Sequence, residues 1–187
     1  GRTGSGKSSL LQSLLRMVFV RSGSIFIEGQ SIYEGDVHAH RRRFGVVPQS
    51  PYLFEGTIRS NLDRTSEQTD ELLIEALRKV GLGLPLETKI NEGGTQLSLG
   101  ERQLICLARV LAAGRPIILM DEPTSGLDPA TDAQMIRVLR EAFQDRTVIT
   151  IAHRLESLKN YDRVVELRDG RLLEIHTPQS YIAAMSH

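Results

Sequence analysis

The 187-residue chain carries 23 basic and 23 acidic side chains, so nothing in its charge draws it toward nucleic acid or an anionic membrane surface. It has no apolar run near the roughly 20 residues needed to cross a bilayer, and no signal peptide is visible. The length allows one sizeable core, and the single cysteine, Cys106, can form no internal disulfide; a reducing compartment and a small buried hydrophobe fit it best.

The chain opens on Gly1-Arg2-Thr3-Gly4-Ser5-Gly6-Lys7-Ser8-Ser9. Glycines at 1, 4 and 6 let the backbone turn tightly, aim successive N–H groups inward and let a phosphate chain approach. Lys7 then offers a point charge to the β- and γ-phosphates, and the Ser8 hydroxyl is placed for Mg²⁺. Gly1, Thr3, Gly4, Ser5, Gly6, Lys7, Ser8 and Ser9 are therefore the candidate phosphate ligands of a Walker A loop. A plain glycine–serine turn is the bland alternative, but four positions of the pattern are fixed and a helix follows. Such a loop normally follows a buried strand. The sequence thus predicts a fragment of a longer chain, with a sheet position empty upstream of Gly1.

Leucines 10, 11, 14 and 15 predict a helix from Lys7 to about Met17, with its positive end at the loop. Ser24–Glu28 reads as a strand closed by Gly29, and the basic run His38–Arg43 as a solvated face, since no aromatics interleave. Phe44–Val47 reads as a buried strand ended by Pro48, followed by a loop of breakers and aromatics from Gln49 to Ile58. Asp70–Val80 and Leu99–Ala113 read as amphipathic helices with a turn at Asn91–Gly94 between them. Ile117–Met120 is a continuous apolar run, as in a strand buried on both faces of a parallel sheet. A helix should start at Pro129 with Asp128 as N-cap. Thr147–Ile151 reads as a further buried strand, and Arg163–Leu167 with Leu172–Ile175 as a strand pair at the sheet edge, turning at Asp169-Gly170. Alternating helices and buried strands predict an α/β layered fold, with functional groups at strand C-terminal ends.

One such end delivers Asp121 and Glu122 side by side. Asp121 could hold Mg²⁺ opposite Ser8, and Glu122 could take a proton from water attacking the γ-phosphate. Leu97-Ser98-Leu99-Gly100-Glu101-Arg102-Gln103 has the Ser-x-x-Glu spacing of a capping box, and a capped helix start with exposed N–H groups is also an anion site.

This last stretch resembles the Leu-Ser-Gly-Gly-Gln signature of ATP-binding-cassette (ABC) proteins, and it stands in that family's order between the Walker A loop and the Asp121-Glu122-Pro123 acid pair. The resemblance covers essentially all of residues 1–187. It implies a P-loop NTPase cassette with a mostly parallel core sheet, a small β subdomain and a helical signature subdomain. Gln49 matches the Q-loop glutamine at the metal and attacking water, facing the transmembrane domains. Ser125-Gly126-Leu127-Asp128 matches the D-loop, and His153 the switch histidine. The metal set implied is Ser8, Gln49 and Asp121, and the catalytic set Glu122, His153 and Gln49. Ser98, Leu99, Gly100 and Glu101 would serve the ATP of a second cassette in a head-to-tail sandwich.

The loop at 1–10 and the segment Val47–Asp63 look like the second cassette of multidrug-resistance-associated, C-subfamily exporters. That resemblance implies a motor on the cytoplasmic face of a membrane, powering export of organic anions, conjugates or drugs. Regulation of a channel is the alternative, and a soluble cassette working on ribosomes or DNA is a more distant one. The signature departs from the commonest pattern at Leu99 and Glu101, and the D-loop at Gly126. Glu101 puts a negative charge where a partner's phosphate would approach, an expectation of slow turnover there. The aromatic residue that stacks on adenine in the family would lie upstream of Gly1.

Overall fold

Gly6, at φ 94°, leads into helix α1 (Lys7–Leu14) through a left-handed backbone that a side chain would resist. The structure, a computed structural model, describes residues 4–152 and 155–185. It divides the chain into two compact units, Gly1–Phe44 with Ile151–His187, and Gly45–Thr150.

Helix α1 ends short of the predicted Met17, with Arg16 at φ 53°. Its last carbonyls then need partners. The hairpin of β1 (Phe26–Ile27) and β2 (Gln30–Ser31) follows, shorter than the predicted strand, across a turn in which Glu28 and Gly29 both have positive φ. Next comes α2 (Val37–Arg41), N-capped by Asp36, whose carboxylate accepts from Ala39 N at 2.7 Å. The basic run is not simply a solvated face. Buried His40 donates through Nε2 to Leu14 O at 2.7 Å, Arg41 donates to the carbonyls of Leu15 and Arg16 at 2.9 and 3.0 Å, and Arg43 pairs with Glu28. His40 and Arg41 supply what α1 lacks at its C-terminus.

Strand β3 (Phe44–Val47) leads to β4 (Gly56–Thr57) and α3 (Ile58–Leu62), a short helix the breaker-rich sequence did not announce. Thr57 and Ser60 cap it reciprocally. Asn61, fully buried, accepts from Phe54 N and donates to the carbonyls of Phe54 and Thr57 at 2.8, 2.8 and 3.0 Å. Helix α4 (Asp70–Lys79) buries Leu73, Ala76 and Leu77, and β5 (Lys89–Ile90) pairs antiparallel with β4.

Helix α5 (Leu99–Ala113), β6 (Ile117–Asp121), α6 (Pro129–Ala142) and β7 (Thr147–Ile151) fall where the periodicity predicts. The parallel sheet has the order β3-β6-β7. Because β6 has a neighbour on each side, Ile118, Leu119 and Met120 are at most 1% exposed. Strand β7 is buried only at Ile151, less than the sequence predicts. A Cβ on Gly45 would lie 2.6 Å from Val110 Cγ1, so glycine is what lets α5 lie close on β3. Cys106 is buried on α5, and desolvation raises its thiol pKa.

Strands β8 (Val164–Arg168) and β9 (Arg171–His176) form a separate antiparallel ribbon among the described residues, rather than the edge of the larger sheet. Asp169 and Gly170, at φ 49° and 73°, make the tight turn. Helix α7 (Pro178–Met185), not signalled by the sequence, closes the chain.

Candidate functional site

The phosphate loop is described from Gly4 onward; Gly1 and Thr3 lie outside the described residues. Ser5 is buried, its hydroxyl accepts from Lys7 Nζ at 3.2 Å, and its carbonyl accepts from Gly170 N at 3.2 Å. A Cβ on Gly6 would sit 3.5 Å from Gly170 Cα. The β8–β9 turn therefore backs the loop directly. Ser8 and Ser9 stand exposed on the first turn of α1, which carries no acidic residue to offset its positive end.

In the other unit, Gln49 follows β3 by two residues and Glu122 follows β6 by one. Gln49 is exposed, and its Nε2 donates to Glu122 Oε2 at 3.4 Å. Parallel strands that end together bring these two groups together, although 73 residues separate them. Asp121, the last residue of β6, is half-buried and precedes Glu122 in the chain. Glu122 holds φ 45°, unusual for a residue with a Cβ and more so before a proline, where the helical regions are disfavoured. A left-handed conformation at such a residue costs about 1–2 kcal/mol. The turn is held by Ser125 N donating to Glu122 O at 3.0 Å.

Gln103 also holds it. This α5 side chain is 1% exposed, and its Nε2 donates to Pro48 O at 3.0 Å and to Pro123 O at 2.8 Å. Sequence reasoning gave Gln103 no role beyond the signature stretch. The available signal was its place in the i, i+4, i+7 row Gln103, Leu107, Val110: a polar group on the apolar face of a helix must find partners inside.

The signature forms a capping box. Ser98 Oγ accepts from Glu101 N at 3.1 Å, while Glu101 Oε2 accepts from Ser98 N and Ser98 Oγ, both at 2.9 Å. Glu101 thus turns its charge back onto its own helix start. Leu99 is exposed, whereas Gly100 is buried and a Cβ there would meet Thr131 Cγ2 at 2.9 Å. The D-loop lies alongside: Gly126 has φ 75°, and Asp128 caps α6 through Ala130 N, Thr131 N and Thr131 Oγ1. These bonds, from Thr131 above all, hold the Asp128 carboxyl below its usual pKa. His153 lies outside the described residues. Among those described, no helix is long and apolar enough to cross a membrane.

Residues 1–125 match the family described as ABC transporter. The chain is 45% identical over 185 residues to ABC transporter C family member 3 of Arabidopsis thaliana, covering 95% of this chain and 12% of that protein. It is 43% identical to the "Probable multidrug resistance-associated protein lethal(2)03659" of Drosophila melanogaster, covering 95% of this chain and 13% of that protein. Among solved structures, "Structure of a bacterial Atm1-family ABC exporter with ATP bound" matches with a TM-score of 0.89 and 31% identity, covering 99% of this chain and 34% of that one. The chain thus spans a small part of the relatives it matches. The glycine loop, the capped signature helix and the acid pair on a buried strand carry the same assignment as the match over two thirds of the sequence: this chain belongs to the ABC transporter family.

Proposed function

We propose that residues 1–187 are the ATP-binding and hydrolysing cassette of a C-subfamily exporter, the cytosolic motor that powers outward movement of amphipathic organic anions, conjugates or drugs. The observation that carries this is the meeting of Gln49 with Glu122 at the ends of two neighbouring strands. It joins an acid able to accept a proton to an amide able to orient the water that loses it. Gly1, Thr3, Gly4, Ser5, Gly6 and Ser9 bind the phosphates, and Lys7 neutralises them. His153 contacts the γ-phosphate, and the D-loop residue Asp128 lies at the contact with a second cassette.

The donor set of Ser8 hydroxyl, Gln49 carbonyl and Asp121 carboxylate fits Mg²⁺, a hard cation commonly held by one or two carboxylates together with substrate phosphates. Bound there, Mg²⁺ supplies charge neutralisation for the transferring phosphoryl group. Glu122 accepts the proton from water. Gly100, at the helix start that Ser98 and Glu101 cap, presents its N–H group to the ATP of the partner cassette, and Ser98 serves the same nucleotide. Leu99 and Glu101 flank them, and transmembrane domains receive the closure and reopening near Gln49.

The test is the full-length protein bearing this chain in inside-out membrane vesicles. ATP should drive uphill uptake of an organic-anion conjugate, and Glu122→Gln should abolish uptake while ATP still binds. Uptake that ignores ATP, or an ATP-gated current with no uphill flux, overturns the export reading.

A further inference from the structure

We infer that Gln103 is a positioning residue for hydrolysis: its one amide group fixes the two loops that present Gln49 and Glu122, and ties both to the helix that carries the signature. This deepens the catalytic reading given above and rests on it.

The geometry is specific. Pro48 O belongs to the peptide unit that leads into Gln49, and Pro123 is the residue after Glu122. Gln103 Nε2 donates to both carbonyls, at 3.0 and 2.8 Å, using its two protons. Reversing the amide would set Oε1 against two carbonyl oxygens, so the donor orientation is dictated by the partners rather than chosen. Oε1 itself is buried without a hydrogen-bond partner among the described residues. An isolated buried acceptor is costly, and the side chain is kept there for what its nitrogen does.

Neither loop can supply this link alone. Pro48 and Pro123 lack N–H groups, so the two turns cannot bond to each other through these residues, and a third element must bridge their carbonyls. Gln103 is four residues past Leu99 at the start of α5, one helical turn from the signature. A shift of the signature end of α5 therefore pulls on both loops at once. The strained backbone at Glu122 makes its carboxylate sensitive to such a pull, because the conformation persists only while its surroundings hold it.

The test uses the full-length transporter. Gln103→Met keeps the side chain's length and removes both donors. Gln103→Asn keeps the amide but is one methylene too short to reach both carbonyls, and it replaces the Met variant should that one fail to accumulate. Either should lower kcat for ATP hydrolysis by about 10-fold or more, with KM for ATP held within about twofold. Adding either to Glu122→Gln should change the residual turnover by less than about twofold, since both substitutions act on one step. An unchanged kcat, a KM that rises in step with the loss of kcat, or two losses that multiply in the double variant overturns the inference. Glu122→Gln with wild-type turnover sinks the catalytic reading itself; a damaging Glu122→Gln beside a silent Gln103 variant sinks only the bridge.

Discussion

Gln49 Nε2 lies 3.4 Å from Glu122 Oε2, at the outer limit of a hydrogen bond. A contact this long constrains direction more than it binds, and leaves room for the pair to tighten when a water and a phosphate enter. Glu122→Gln should therefore retain ATP binding and lose hydrolysis by about 10²-fold or more, the usual effect of removing a general base. Steady-state phosphate release, read beside nucleotide binding in the full-length protein, decides it.

Gly100 is where two helix starts touch. A methyl there would press on Thr131, whose hydroxyl is already committed to Asp128 at 2.6 Å and so cannot swing away freely. Gly100→Ala should destabilise the cassette by about 1–3 kcal/mol, the range for overpacking, in spite of alanine's better helix propensity. Thr131→Ser removes the methyl carbon that makes the closest contact, and should recover much of the loss in the double variant. Equal melting temperatures for the single and double variants would count against steric origin.

Asn61 holds the turn after Gln49 from inside, and replacing it with alanine takes the side-chain partner from Phe54 N and Phe54 O, while Thr57 O keeps its bond from Ser60 Oγ. The expected cost is about 3 kcal/mol, which raises the locally open population roughly a hundredfold. Hydrogen–deuterium exchange over residues 52–61 in the full-length protein measures it, and unchanged protection there rules the network out as a support.

Asp128 gives a pH signature. Its carboxyl is held below the ordinary range chiefly by Thr131, so its capping of α6 is fully present above the unfolded carboxylate pKa of about 4 and is lost as pH falls through the lower folded value. Asp128→Asn, still a good N-cap, removes that titration. Unfolding followed between about pH 2 and pH 5 should show a flatter acid limb for the variant than for the wild type.

The periodic elements were legible because burial alone dictates them. Ile117–Met120 had to be an interior strand, and Asp128-Pro129 had to open a helix. What escaped was set by side chains meeting across the chain. His40 and Arg41 read as surface charge, since nothing local says that α1 ends with open carbonyls 26 residues earlier. Helix α3 hid behind turn-forming residues whose capping role appears only once Thr57 and Ser60 face each other. The ribbon of β8 and β9 looked like a sheet edge because alternation does not name a strand's neighbour. At the site, residue types and spacing pointed to the acids, but the left-handed turn at Glu122 and the Gln103 bridge are properties of packing.

The contact of Gly6 and Ser5 with Gly170 also has a temporal side. A ribosome makes the loop long before the turn that backs it, and all of Gly45–Thr150 is made in between. At about 5–20 residues per second the wait is on the order of ten seconds. During that interval the nascent loop has no wall behind Ser5, while the intervening unit can already bury its own core. The seating of Ser5 against Gly170 is thus a late event in the biosynthesis of this chain, and a translational stall before Gly170 leaves the loop without the turn that backs it.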